Sequence, residues 1–193
     1  MNDTSESAFQ PLPVLNSDRL RLRAFSMSDA VAVTRLAGHR RIADTTQEIP
    51  HPYDEAMAER WIASHRARIE DRALVPYAIT LVDDHRLVGA ISLTLEPAYT
   101  RAELGYWIGV PFWGRGFATE AAALLLNYGF DRLGLRRIHA QYLARNPASG
   151  RVLEKLGFKA EGLLRQHSMK WGRPEDLKLV GLLSDEWQAQ ISC

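Results

Sequence analysis

The chain is poor in cysteine: the only one is Cys193, the last of 193 residues. An internal disulfide is therefore excluded, which suits a reducing cytoplasm. No Cys/His cluster has zinc spacing and the six histidines are scattered, so no structural metal is expected. Charge of one sign is also lacking. A formal net charge of +1 gives no bulk attraction to nucleic acid or to a membrane surface, and neither partner is expected. No apolar run reaches transmembrane length. The N-terminal MNDTSESAFQPLP has neither a basic start nor an apolar signal core, and residues 1–15 read as a flexible leader to one domain over 16–190. What is present is a 46% hydrophobic fraction, sufficient for a core, and 24% charged residues, sufficient for a wetted surface.

The most informative stretch is Val110–Glu120, VPFWGRGFATE. A strand-like alternation over Ala102–Val110 precedes it, and a long apolar helical run, Ala118–Leu133, follows. Gly114 and Gly116 stand between. Glycine lets backbone pass close to a ligand, and the free N–H groups and dipole of a starting helix favour an anion. Arg115 would add charge at the rim. A Walker A loop would need Lys–Ser/Thr where Phe117-Ala118 stand. A dinucleotide fingerprint would need a third glycine or alanine where Thr119 stands. A tight turn without a ligand is the remaining structural alternative.

Around this stretch, alternation predicts strands at Leu20–Phe25, Val75–Val82, Leu87–Leu95, Arg137–Leu143, Gly162–Lys170 and Leu177–Leu183. Helices are predicted after Ser28-Asp29, after Asp54 to about Asp71, and over Asn146–Phe158. In the last of these Asn146 is the N-cap, Pro147 the first helical residue and Gly157 the stop. Met57, Trp61 and Ile69 should share the buried side of the second helix, and 39–52 should be a loop. Gly105 and Gly109 suggest a bulge or a close backbone approach. The order β-α-α-β-β-β-α-β-α-β-β predicts an α/β (α+β) fold, a single mixed, mostly antiparallel sheet with helices on both faces.

That order, with these motifs, resembles the GNAT superfamily of N-acetyltransferases, and most of all the branch with the ribosomal-protein N-terminal (Rim-type) acetyltransferases. The superfamily's acyl-CoA loop reads Gln/Arg-x-x-Gly-x-Gly/Ala; the matching residues are Trp113, Gly116 and Ala118, with Trp113 a departure. Trp113–Ala121, WGRGFATEA, is similar to a form frequent in that branch. Glu103–Ile108 (ELGYWI), Asn146–Phe158, and Glu161–Arg165 (EGLLR) with Asp176 and Leu182-Leu183 extend the resemblance over roughly Leu15–Trp187.

The resemblance implies an enzyme that transfers acetyl from acetyl-CoA, a co-substrate, to a primary amine: a protein N-terminal amine or a small amine. It implies pyrophosphate on the N–H groups of Trp113–Thr119 (Gly114, Arg115, Gly116, Phe117, Ala118 and Thr119 among them). Pantetheine would run along Ile108, Gly109 and Val110, in a splay between that strand and Arg137–Leu143, with Asn146 beside it. A backbone N–H near Ile108 would hold the oxyanion. Glu103 is the first candidate for the base that deprotonates the amine, with His167 and His51 behind it. Ser149, at N3 of its helix, would donate to the leaving thiolate, where the helix dipole favours negative charge. The loop Ile49–Tyr53 and the next helix would cover the acceptor, with Tyr106, Trp107 and Trp61 lining it. Two other functions stay open: a non-catalytic acyl-CoA-binding or regulatory module, and an antibiotic-modifying acetyltransferase whose acidic pocket would draw on Glu48, Asp54 and Glu55. Acceptor identity is open, as is a homodimer.

Overall fold

A computed structural model describes residues 12–191; the part of the expected leader before Leu12 lies outside them. Eight strands form one sheet: β1 (Leu15–Asn16), β2 (Leu20–Arg23), β3 (Leu74–Leu81), β4 (Leu87–Glu96), β5 (Arg101–Ile108), β6 (Arg137–Leu143), β7 (Lys159–Lys170) and β8 (Arg173–Leu183). Their order is β1-β2-β3-β4-β5-β6-β8-β7. Every neighbouring pair is antiparallel except β5 and β6. The sheet thus starts inside the stretch read as leader, since Leu15 and Asn16 pair with Leu22 and Arg21.

The helices are α1 (Ala30–Ala37), α2 (Arg40–Thr45), α3 (Glu55–Glu70), α4 (Phe117–Asn127), α5 (Pro147–Lys155) and α6 (Ser184–Ile191). A π-turn over Tyr128–Arg132 continues α4. Helix α2 occupies part of the expected loop, and α6 follows the last strand; both are too short for a 3.6-residue pattern to stand out. The Asp54 carboxylate accepts from the Met57 N–H at 2.8 Å, the N-cap its sequence promised. The buried stripe of α3 is Ala58, Ile62 and His65, not Met57, Trp61 and Ile69, which are half-buried.

Helices cover both faces. Tyr128, at the end of α4, packs edge-on against Tyr77 of β3 with ring centroids 6.4 Å apart, and Gly129 lies on Leu93 and Ile138. The opposite face takes α1, whose Leu36 closes over Gly109, where a Cβ would come within 2.8 Å of Leu36 Cδ2. Side chains alternate between faces along a strand. Leu104, opposite Leu93, therefore shares the α4 face with Tyr106, whereas Glu103, Gly105 and Trp107 share the face of α1 and α3. No bulge occurs at Gly105: β4 and β5 stay in register from Gly89–Ile108 to Glu96–Arg101.

Candidate active site

The connection from β5 through α4 to β6 makes these strands parallel neighbours, but they pair only over Arg101–Glu103 and Arg137–His139. Beyond Glu103 they diverge. The Gly109 N–H donates to Val88 O at 2.8 Å, so in the antiparallel ladder the odd-numbered residues of β5 pair with β4. Leu104, Tyr106 and Ile108 turn their backbone groups the other way, into the splay. A cavity of about 680 Å³ occupies that splay, bordered by β5, β6, the start of α4, the start of α5 and the segment 45–49.

At one end lies the glycine turn. Gly114 and Gly116 have φ of +75° and +78°, the left-handed region that only glycine enters freely. Gly116 is the N-cap of α4, and no side chain caps this helix. The Gly116 carbonyl accepts from the Glu120 N–H at 3.1 Å. The N–H groups of Phe117, Ala118 and Thr119 belong to the first turn, where no preceding carbonyl serves them. A Cβ on Gly114 would meet nothing within 4 Å, so the turn is open to a ligand. The turn is braced from the connection between β1 and β2: the Arg19 Nε donates to Glu120 Oε2 at 2.8 Å, Arg19 Nη1 donates to the Arg115 carbonyl at 3.1 Å, and Ser17 Oγ donates to Glu120 Oε1 at 2.6 Å. Burial would raise the Glu120 carboxyl, but the hydrogen bonds from Ser17 and Arg19 hold it below its usual range. Sequence reasoning missed Ser17 and Arg19, about a hundred residues away, because only the tertiary fold brings them here.

Trp113 explains its own departure from the loop pattern. Its indole N–H donates to the Ile108 carbonyl, and the Arg41 guanidinium lies 4.6 Å from its ring centroid. It ties the turn to the end of β5, so the open edge is carried by Tyr106 and the Ile108 N–H rather than by the Ile108 carbonyl.

On the α4 face, Asn146 Oδ1 accepts from the Ser149 N–H at 3.2 Å, capping α5. Asn146 Nδ2 donates to Thr45 O at 3.1 Å, which joins this helix start to the segment after α2. The Ser149 and Tyr106 hydroxyls are 2.8 Å apart, and Tyr106 also donates to the Ser149 carbonyl at 3.1 Å. Burial pushes the Tyr106 phenol up to about 12, so it stays protonated at neutral pH. The resemblance implies Tyr106 among the acceptor-lining residues; strand alternation turns its side chain to the α4 face, against Ser149.

The remaining expected site residues divide cleanly. Ile108, Gly114, Gly116, Phe117, Ala118, Thr119 and Asn146 border the cavity, as do Glu103 and Ser149. Gly109, Val110 and Arg115 do not: Gly109 is small because Leu36 packs there, and the Arg115 guanidinium lies 5.9 Å from the Phe112 ring centroid. His51 also lies off the cavity, with Nδ1 3.1 Å from the Gly38 carbonyl. His167 lies in the irregular stretch of β7 between Leu164 and Ser168, beside Asp176. Among the described residues no group of His, Cys, Asp and Glu could hold a metal ion, and no helix is long and apolar enough to cross a membrane.

Comparison with known proteins identifies the family. Residues 19–159 match the family model described as an acetyltransferase (GNAT) domain. A protein of Bacillus subtilis (strain 168) named as an uncharacterized N-acetyltransferase, YoaA, is 33% identical over 181 residues, covering 89% of this chain and 97% of that relative. The ribosomal protein uS5-alanine N-acetyltransferase of Escherichia coli (strain K12) is 28% identical over 107 residues, 54% of this chain and 55% of that enzyme. Mycobacterium smegmatis RimJ, solved in complex with CoA-disulfide, superposes with a TM-score of 0.80 at 26% identity, over 90% of this chain and 87% of that one. The family model spans most of the domain, and the chain belongs to the GNAT family of acetyl-CoA-dependent N-acetyltransferases.

Proposed function

We propose that this chain acetylates a primary amine, either the N-terminal amine of a protein or a small amine, with the donor in the splay and the acceptor reaching it from the face of α1 and α3. One observation carries this reading: Ser149 and Glu103 border a single cavity, yet Ser149 meets Tyr106 on the α4 face while Glu103 points to the other. A leaving-group donor and a base thus flank the point where β5 and β6 part.

Acetyl-CoA supplies an activated acyl group as a thioester. The first-turn N–H groups of α4 fit its pyrophosphate, and the free edge of β5 at Tyr106 and Ile108 fits its amide-bearing arm. Glu103 takes the ammonium proton of the acceptor, directly or through water, because an ordinary alkylamine with a pKa of about 10.4 arrives charged. The Ile108 N–H, facing the splay, stabilises the oxygen that gains negative charge. Ser149 then donates to the departing sulfur. Tyr106 positions it: with the phenol O–H turned to Ser149 Oγ as a hydrogen-bond donor and keeping its proton, the serine's own O–H is free for the sulfur. A lone cysteine suits work in a reducing cytoplasm.

The test is release of free thiol from acetyl-CoA with a panel of amines, on wild type and on Ser149→Ala. Amine-dependent release that falls in the variant supports the assignment. Release for no amine, with CoA still bound, would favour a non-catalytic acyl-CoA-binding module.

A further inference from the structure

Register across three strands lays Pro76, Ser92 and Gly105 side by side. Alternation puts this row on the face of α1 and α3, one step from Thr94 and Glu103 on one side and from Ala90 and Trp107 on the other. The row is a floor of small residues. At Gly105 an added Cβ would find one atom within 4 Å, Ser92 Oγ at 3.7 Å, and the Gly105 backbone is not left-handed. A larger residue is therefore tolerated by the chain there, and glycine leaves space above the sheet.

Aromatic rings wall that space. Phe25 and Trp61 border the cavity and meet edge-on with centroids 4.9 Å apart. His65 locks Trp61 from behind at 4.5 Å. It is only 5% exposed, with neither ring nitrogen hydrogen-bonded, and burial pushes it down to about 4, so the wall is uncharged at neutral pH. Across from it is the segment with Gln47, Glu48 and Ile49. This segment is held from three sides: Lys170 Nζ donates to Gln47 O at 3.2 Å and Ile49 O at 2.9 Å, Arg145 donates to Asp44 O at 2.8 Å, and Asn146 holds Thr45. Lys170 is 6% exposed and spends its donors on these carbonyls.

Charge around this space is sparse. The cavity's carboxylates are Glu48 and Glu103, and its cations, Arg151 and Lys155, stand on α5. Of the three acidic residues that an acceptor pocket for a polycation would draw on, only Glu48 borders the cavity. Asp54 is engaged as the cap of α3. With one ammonium at Glu103, a second would have only the exposed Glu48 to meet, and a third would lie on apolar wall without a carboxylate, at a desolvation cost.

We infer that the preferred acceptor is a primary amine with one positive charge and an apolar side group, aliphatic or aromatic. Its ammonium meets Glu103, its side group lies on the Pro76–Ser92–Gly105 floor against Phe25 and Trp61, and Gly105 sets how large that group can be. The inference rests on the acetyltransfer reading above and specifies its acceptor.

The test uses the full chain, acetyl-CoA and thiol release. Glycinamide, alaninamide, leucinamide and phenylalaninamide are compared with tetrapeptides that start in the same residues, and with spermidine and kanamycin. The expected result is that kcat/KM for leucinamide or phenylalaninamide exceeds that for glycinamide by about tenfold or more, the scale of a few buried methylenes. Higher values for the peptides would mark a polypeptide N-terminus as the source, and equal values a small amine; in both cases the apolar residue must win. Spermidine or kanamycin as best acceptor overturns the inference and leaves acetyltransfer standing. No thiol release with any amine overturns both. Gly105→Leu is the structural arm, with Gly105→Ala as a milder step. CoA affinity by calorimetry and the melting temperature should match wild type, while the leucinamide-to-glycinamide selectivity falls about tenfold or more. An unaltered ratio in both folded variants overturns the assignment of Gly105.

Discussion

The two faces of the sheet at the splay are built from different material. The side where we propose the donor binds is mostly backbone: two left-handed glycines, the uncapped start of α4, the free edge of β5 and the capped start of α5. The side proposed for the acceptor is mostly side chain, gathered from Phe25 just past β2, from α3, from the segment after α2 and from three strands. Backbone recognition is insensitive to most substitutions but demands particular φ angles. Side-chain recognition changes with each lining residue. Donor binding should therefore fail at few positions and fail completely, and acceptor choice should change by degrees at many.

The largest effect tests the donor side. Gly116→Val places a β-branched residue at φ +78°, in a region costing such residues several times the thermal energy. CoA affinity measured by calorimetry should fall about 100-fold or more, since strain and steric obstruction add. The melting temperature should fall by only a few degrees. Wild-type affinity in a folded variant would remove the turn from the site.

Glu103→Gln tests the other face. Turnover should drop about 100-fold, within the range for a general base, while acetyl-CoA affinity holds. The acidic limb of the pH–rate profile should vanish, because an amide takes no proton. A preserved limb would pass the role to water or to another group.

Ser149→Ala comes next, with turnover about tenfold lower or more and an unchanged Michaelis constant for acetyl-CoA, because the hydroxyl acts as the sulfur leaves. Alanine is well accepted in a helical turn, so stability should barely move. Wild-type turnover would sever the Ser149–Tyr106 pair from the chemistry.

The smallest effect separates scaffold from site. Asp29 accepts from Arg23 at 2.7 and 2.8 Å and from the Ser26 N–H at 2.9 Å, just past Phe25 of the aromatic wall. Burial would raise its carboxyl, but the Arg23 hydrogen bond and the Ser26 N–H outweigh it and hold the group low. A carboxyl depressed on folding adds stability that is present above its unfolded value, about 3.9, and is lost as pH falls through the lower folded value. Asp29→Asn should cost about 1.5–3 kcal/mol at neutral pH and less in acid, read by denaturant titration at both pH values. CoA affinity should stay unaltered; a matching loss of affinity would mean that the two faces are coupled.

The legibility of the molecule follows the same division. The strands of the meander, the Asp54 and Asn146 caps and the glycine turn were readable because each signal lies within a few neighbouring residues: alternation, a capping side chain, a glycine where φ must be positive. Helix α2 and strand β1 carried too few residues for a period. Gly105 and Gly109 look alike in sequence, yet one opens a trough and the other admits Leu36. Tyr106 and Trp107 are adjacent aromatics that alternation sends to opposite faces, and only the pairing of β5 with β4 decides which face each takes.

By itself, the sequence determined the local devices: where strands alternate, where helices start, and a turn whose backbone can receive an anion. Its order of elements also put a helix between β5 and β6, the kind of connection a parallel pair needs. The tertiary structure decided that these strands part after Glu103, that Ser149 meets Tyr106 behind the gap, and that Phe25, Trp61 and Gly105 frame the space in front. Local geometry depends on torsions and hydrogen bonds among near neighbours, which a short segment specifies. A site that crosses a sheet depends on register and on packing between residues more than a hundred positions apart, which the whole chain settles only when its core closes.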